Sequence, residues 1–194
     1  MLRFNKLKKK YTVQVPQNIQ VVYCDKKNTV TFIGPSQKKS LKLKVKIFLL
    51  PSLNSIIVSS IPISGNSIID FKNAKKSQGT TSAKIKQILI ETTYTLYHKL
   101  NLVGVGYRVF QHENLTNQLY FKLGYSHLIY FKIPALLNTF CQKSTKLFIF
   151  GDCSFDTLTQ TAAQIRACKF PEPYKGKGIL HDQEKITLKK GKKI

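Results

Sequence analysis

Two stretches of this chain repeat one another. Val15-Pro16 is followed by an apolar run from Asn18 to Cys24, a polar turn at 25–28, and Thr29-Val30-Thr31-Phe32-Ile33-Gly34. Far downstream, Ile133-Pro134 leads into Leu137 to Cys141, another polar turn, and Lys146-Leu147-Phe148-Ile149-Phe150-Gly151. Cys24 and Cys141, like Gly34 and Gly151, stand 117 residues apart and the two prolines 118, so one single-residue gap aligns the copies. Two hairpins of separate origin are the alternative; the shared order of proline, cysteine and glycine favours duplication, which predicts two small domains on one plan.

The rest of the chain fills out that plan. Leu41-Lys42-Leu43-Lys44-Val45-Lys46-Ile47 alternates strictly, which predicts a strand with Leu41, Leu43, Val45 and Ile47 on a buried face and lysines on the other. The lysine stripe fits a solvated strand edge and an RNA contact equally well. Residues 51–79 read as one or two strands separated by loops. From Thr80 to about Leu100 the period becomes helical, with Ile85, Ile88, Leu89 and Leu96 on one face after the capping candidates Thr81 and Ser82. A second helix is predicted over Asp156 to Ala167, carrying Leu158, Ala162 and Ile165 inward, with an acid at its dipole-favoured start. Between the helices, Leu102 to Phe110 and Leu119 to Phe131 are strand-rich. The predicted class is α+β, with two duplicated domains, each an antiparallel sheet with one packed helix. The boundaries drawn from this pattern are a basic arm at 1–10, domains at 11–100 and 101–174, and a basic extension at 175–194. The arm reads as an RNA-binding segment rather than a presequence, because strand-like sequence begins by Tyr11.

Charge then narrows the function. The chain of 194 residues carries 32 Lys and Arg against 9 Asp and Glu, a formal charge of +23, while 42% hydrophobic residues suffice for a core. Self-repulsion of that size implies a polyanionic partner. Only Arg3, Arg108 and Arg166 are arginines, so most of the charge is lysine, which suits backbone phosphates better than bidentate base reading. The lysine excess over arginine also fits the coding bias of an AT-rich organelle genome, but that bias does not explain the shortage of acids. No run approaches the roughly 20 apolar residues of a membrane span, and no membrane partner is expected.

Catalytic chemistry finds no foothold. Cys24, Cys141, Cys153 and Cys168 form no Cys-x-x-Cys pair, and His98, His112, His127 and His181 lie in no metal-ligand spacing. The cysteines read as small apolar fillers. Nine scattered acids offer few ways to build a two-carboxylate or two-metal site. Gly104-x-Gly106 lacks the third glycine of a dinucleotide loop, so its glycines predict a bulge or close packing. Asn114-Leu115-Thr116 matches a glycosylation sequon without any sign of secretion. No enzyme activity, metal or cofactor is expected. The competing classes are a nucleic-acid-modifying enzyme, which needs a constellation absent here, and a free nucleic-acid-binding module.

The C-terminal stretch is the densest in cations. Arg166, Lys169, Lys175, Lys177, Lys185, Lys189, Lys190, Lys192 and Lys193 face only Glu172, Asp182 and Glu184. Pro171 and Pro173 stiffen its entrance, Tyr174 supplies a ring, and Gly176 and Gly178 flank Lys177 so that backbone and ammonium can approach a phosphate. A solvated tail would not need so rigid a lead-in, so the expected RNA-binding residues are Arg166, Lys169, Tyr174, Lys175, Gly176, Lys177, Gly178, Lys189, Lys190, Lys192 and Lys193.

Pro171-Glu172-Pro173-Tyr174-Lys175-Gly176-Lys177-Gly178-Ile179 resembles the signature of the large-subunit ribosomal protein L6 family in its bacterial and organellar form. Leu102-Val103-Gly104-Val105-Gly106-Tyr107-Arg108 and Leu123-Gly124-Tyr125-Ser126-His127 resemble that family's second domain, in the same order. The resemblance covers about 100–190 strongly and 11–99 collinearly, with departures concentrated in 38–79. It implies a structural constituent of the large ribosomal subunit that binds rRNA near the base of the sarcin–ricin loop, close to where translational GTPases dock. Its implied partners are large-subunit rRNA and neighbouring ribosomal proteins, with no homo-oligomer. The implied RNA contacts are Tyr174, Lys175, Gly176, Lys177 and Gly178, extended by the lysine-rich tail. Composition and Cys168-Lys169 point to a mitochondrial ribosome, with a plastid ribosome as the alternative.

Overall fold

The computed structural model describes residues 11–63, 68–112, 115–151 and 154–191. It divides into two compact units between Tyr94 and Thr95. The basic arm at 1–10, Asn114 of the sequon, Cys153, Lys192 and Lys193 lie outside the described residues.

In the first unit, β1 (Thr12–Gln14), β6 (Ser55–Pro62) and β5 (Val45–Leu50) form one antiparallel sheet in the order β1-β6-β5. A second sheet runs β2 (Gln20–Cys24), β3 (Thr29–Ile33), β4 (Lys38–Lys42). The alternating stretch 41–47 feeds both sheets: β4 ends at Lys42, Leu43 donates its amide to the Asn28 carbonyl at 2.8 Å, and β5 begins at Val45. Leu43, Val45 and Ile47 are buried, Leu41 is half-buried and Lys42, Lys44 and Lys46 are exposed, as the period-two pattern predicts. These side chains join Val13, Ile19, Val30, Phe32, Ile56 and Val58 in one core.

The helix of this unit, α1 (Ile68–Thr93), corrects the sequence pattern at both ends. It starts a dozen residues before Thr80, inside the segment read as strands and loops. From Lys72 to Gly79 its only apolar side chain is the buried Ala74, so the apolar period that marks the second half is interrupted there. Thr81 and Ser82, read as caps, lie within the helix and are buried. Ile85 and Leu89 face the core as expected, but Leu96 belongs to the next strand. Glu91, almost wholly buried on α1, pairs with Lys39 of β4 and ties the helix to the second sheet.

The second unit contains β7 (Leu96–Val103), β8 (Arg108–His112), β9 (Leu115–Lys122), β10 (Ile129–Lys132), β11 (Asn138–Gln142), β12 (Lys146–Gly151), α2 (Phe155–Ala167) and β13 (Gly178–His181). Its sheets run β11-β12-β7-β13 and β10-β9-β8, every pair antiparallel. Leu158, Ala162 and Ile165 of α2 pack on Leu100, Leu147, Ile149 and Ile179. Cys141 and Cys168 pack against the same core as free thiols, and burial pushes the Cys141 thiol up to about 11, far from the reactive range.

The fold is α+β in both units, and the repeat is a shared hairpin. Ile19 donates to the Pro16 carbonyl at 3.2 Å and Leu137 to that of Pro134 at 3.0 Å, the same turn in each copy. Val30 and Leu147, and Phe32 and Ile149, are fully buried at matching positions. The gap falls in the connecting turn, which joins Cys24↔Thr29 in the first hairpin and Gln142↔Lys146 in the second, so Cys24 matches Gln142 and the alignment of Cys24 with Cys141 suggested by the 117-residue spacing is off by one position. Beyond Gly34 the first copy continues into β4, whereas beyond Gly151 the second runs to α2.

The α2 start has a full set of signals. Ser154 accepts from the Thr157 amide at 3.3 Å and Asp156 occupies the first turn. Ser154→Ala is expected to lower stability by about 1 kcal/mol in a denaturant titration.

Candidate nucleic-acid interface

The C-terminal cations are mounted on a closed loop that leaves α2 and returns as β13. Four backbone bonds close it: Ile179 to the Lys169 carbonyl at 3.0 Å, Glu172 to Lys177 at 2.9 Å, Gly176 to Glu172 at 2.8 Å, and Lys189 to Pro173 at 2.9 Å. Gly176 takes φ +68° and Gly178 φ +157°. A Cβ on Gly178 would stand 2.6 Å from the Pro171 Cα, so only glycine lets the returning chain lie against the proline. β13 then pairs with β7, burying Ile179 and Leu180. The lysine-rich segment is thus stitched into the sheet on both sides of the loop tip, which presents Tyr174 at 55% exposure with Lys175 exposed beside it.

Two of the three acids near this loop, Glu184 and Asp182, are engaged by cations of the body, while Glu172 is exposed in the loop itself. Glu184 holds Arg166 at 3.0 Å and 2.5 Å and accepts the His181 amide at 3.2 Å, while the Arg166 guanidinium lies 5.4 Å from the Phe170 ring. Arg166 therefore does not present a free guanidinium; it fastens β13 to α2. Asp182 takes Lys99 at 2.5 Å and Asn101 at 3.3 Å. Among the described residues no carboxylate pairs with Lys175, Lys177, Lys185, Lys189 or Lys190. The positive charge of the tip is left for an external anion.

Tyr107 and Tyr125 extend the site beyond the residues that composition and spacing single out. The Tyr107 ring occupies the space that a Cβ on Gly104 or Gly124 would need, with approaches of 2.8 Å and 3.0 Å. The two glycine motifs thus meet on one ring, the close packing expected for Gly104-x-Gly106. Tyr125 donates to the Cys168 carbonyl at 3.3 Å, and Lys169 Nζ sits 4.1 Å from its ring centroid. A cavity of about 400 Å³ lies between Tyr107, Tyr125, Lys169, Phe170, Glu172 and Lys177. The sequence signal that points to both tyrosines is the glycine beside each.

Two histidines far apart in sequence also meet at β13. His98 Nε2 and His181 Nδ1 are 2.9 Å apart with stacked rings. Burial holds His98 below the ordinary histidine value of 6.5, the neighbouring His181 adds to this, and Asp182 opposes it. The hydrogen bond from Arg166 holds Glu184 below 4.5 against the opposing effect of burial. Both groups bind protons more weakly folded than unfolded, so their stabilisation is complete above the unfolded values and is lost as pH falls. Acidification is expected to loosen the second unit in two windows, from about 6.5 downward through His98 and from about 4.5 downward through Glu184. Denaturation midpoints across that range check this, and Arg166→Ala should flatten the lower window only.

Among the described residues no group of three or more His, Cys, Asp or Glu could hold a metal ion, and no helix is long and apolar enough to cross a membrane. The family model described as Ribosomal protein L6 matches residues 103–182. The chain is 33% identical to the large ribosomal subunit protein uL6 of Geobacter sulfurreducens over 94% of its own length and 95% of the relative's. It is 36% identical to the protein of the same description from Mycoplasmoides gallisepticum, over 93% and 92% of the two chains. The matching protein of Mycoplasma pneumoniae is 37% identical over 86% and 85%.

Proposed function

Because the chain belongs to the ribosomal protein L6 family, we propose that it is a non-enzymatic, structural constituent of the large ribosomal subunit whose C-terminal loop binds rRNA. The contact lies near the base of the sarcin–ricin loop, beside the docking region of translational GTPases. Tyr174, Lys175, Gly176, Lys177 and Gly178 form its centre, Lys169 flanks it, and Lys189, Lys190, Lys192 and Lys193 continue along the phosphates. Arg166 acts from behind, holding the loop through Glu184. The observation that carries this reading is the rigid loop whose lysines lack carboxylate partners among the described residues.

Chemically, such a loop needs no bond-making step. Lysine ammonium groups replace counterions along the phosphate chain, and the glycines admit close approach of the backbone. Neighbouring large-subunit proteins complete the surroundings. The particle is an organelle ribosome, mitochondrial in preference to plastid, on the strength of the lysine bias and Cys168-Lys169.

Sedimentation tests the assignment. The full-length chain should remain with large subunits through a moderate-salt gradient, and its binding to isolated rRNA should fall steeply with salt, by a logarithmic slope near −0.7 to −0.9 per phosphate contacted. A chain released at moderate salt, or a flat salt response, would refute the reading. Fractionation of tagged protein with purified mitochondria decides the compartment.

A further inference from the structure

We propose that the outer face of the β8–β9–β10 sheet is a second RNA contact, a platform on which an unpaired base stacks at Tyr130. The inner face of this sheet is fully buried at Val109, Leu119 and Phe121. On the opposite face, Phe110, Tyr120 and Tyr130 stand in direct cross-strand register, one ring from each strand. Ring centroids are 5.1 Å apart for Phe110 and Tyr120 and 6.5 Å for Tyr120 and Tyr130. β10 is an edge strand, so the row ends at Tyr130, which is 65% exposed.

Cations frame the row. Two residues along the same face, Arg108 lies directly opposite Lys122, and Lys132 follows Tyr130 on the edge strand. All three are exposed and none pairs with a carboxylate among the described residues. Cross-strand stacking of the rings supports the sheet by itself, but like charges directly opposite one another work against it. An anion lying between Arg108 and Lys122 removes that penalty. A strand of RNA supplies both halves of the complement, a flat base to continue the ring row and phosphates for the flanking cations. A protein neighbour would have to bring its own carboxylates and an aromatic plate in the same arrangement.

This contact rests on the ribosomal reading only for the identity of its RNA, and it is separable from the C-terminal loop by experiment. Full-length Tyr130→Leu, which keeps an apolar side chain on an exposed strand position, is titrated by fluorescence anisotropy against a short unstructured oligoribonucleotide and against a base-paired rRNA hairpin. Loss of one stacked base predicts roughly 5- to 150-fold weaker binding of the unstructured strand with the hairpin little changed, and Tyr130→Phe should retain wild-type affinity. Replacing Lys175 and Lys177 should give the reverse pattern, so failure of one site leaves the other standing. Wild-type affinity of Tyr130→Leu for the single strand overturns the proposal. So does an equal loss from Tyr97→Leu, a ring on a different sheet, or crosslinking of residue 130 in assembled subunits to protein instead of RNA.

Discussion

Replacing Lys175 and Lys177 together with glutamine is expected to weaken binding of the full-length chain to a large-subunit rRNA fragment roughly ten- to hundredfold at low salt, if each lysine holds one phosphate at about 1 kcal/mol or slightly more. The plot of log affinity against log salt should become shallower by about 1.4 to 1.8, the share of two phosphates. Thermal stability should hardly change, because neither lysine pairs with a carboxylate among the described residues. The corresponding change of Lys42, Lys44 and Lys46, an exposed stripe in the first unit, should have a smaller effect. Point substitutions discriminate better than truncation before Pro171. Deleting that segment would also remove β13, expose the core beneath Ile179 and strip Arg166 of its carboxylate, so lost binding would report a damaged fold. Filter binding with both lysine sets over a salt series checks the contrast; equal affinity of the Lys175/Lys177 variant and wild type would remove the role given to the loop.

Gly178→Ala should produce the opposite separation, a large stability loss from which any binding loss follows. The new methyl would stand 2.6 Å from Pro171 Cα, 2.7 Å from its nitrogen and 2.9 Å from the Phe170 carbonyl carbon. All three are backbone atoms, so no side chain can swing aside, and φ +157° adds strain for any residue with a Cβ. A cost on the order of 3 kcal/mol follows from overpacking and backbone strain together. Either β13 leaves β7 or the Pro171–Pro173 turn opens. In a unit of about 100 residues that loss lowers Tm by roughly 12 °C or more. Gly79→Ala makes a useful counterpart: nothing lies within 4 Å of the point its methyl would take in mid-α1, so the better helix former should stabilise by up to about 1 kcal/mol. Calorimetry on both variants decides the pair, and a Gly178→Ala protein as stable as wild type would contradict the packing role of that glycine.

Features set by one local signal are legible in the sequence. α2 is one, because Ser154, Asp156 and a single apolar face agree over its whole length. The alternating stretch at 41–47 is another, although nothing in its pattern marks the change of sheet at Leu43. α1 is half hidden because helix period is visible only where a face is apolar, and the stretch from Lys72 to Gly79 offers Ala74 alone. Leu96 fits the helical spacing of Ile88 and Leu89 by coincidence, yet Thr93 ends the helix and the chain turns to pair with β12. β13 is four residues long and is held by its pairing with β7, a contact no local pattern encodes. The candidate site divides the same way. Composition picks out its lysines, whereas the capture of Arg166 by Glu184 and the meeting of His98 with His181 depend on β13 lying where it does.

The measurement that bears most directly on the central claim is a density map of the assembled large subunit containing this chain. The account predicts the segment Tyr174 to Gly178 lying on rRNA near the base of the sarcin–ricin loop, with Lys175 and Lys177 at salt-bridge distance from phosphate oxygens. The same loop facing solvent, or packed against protein with the rRNA elsewhere, would contradict it.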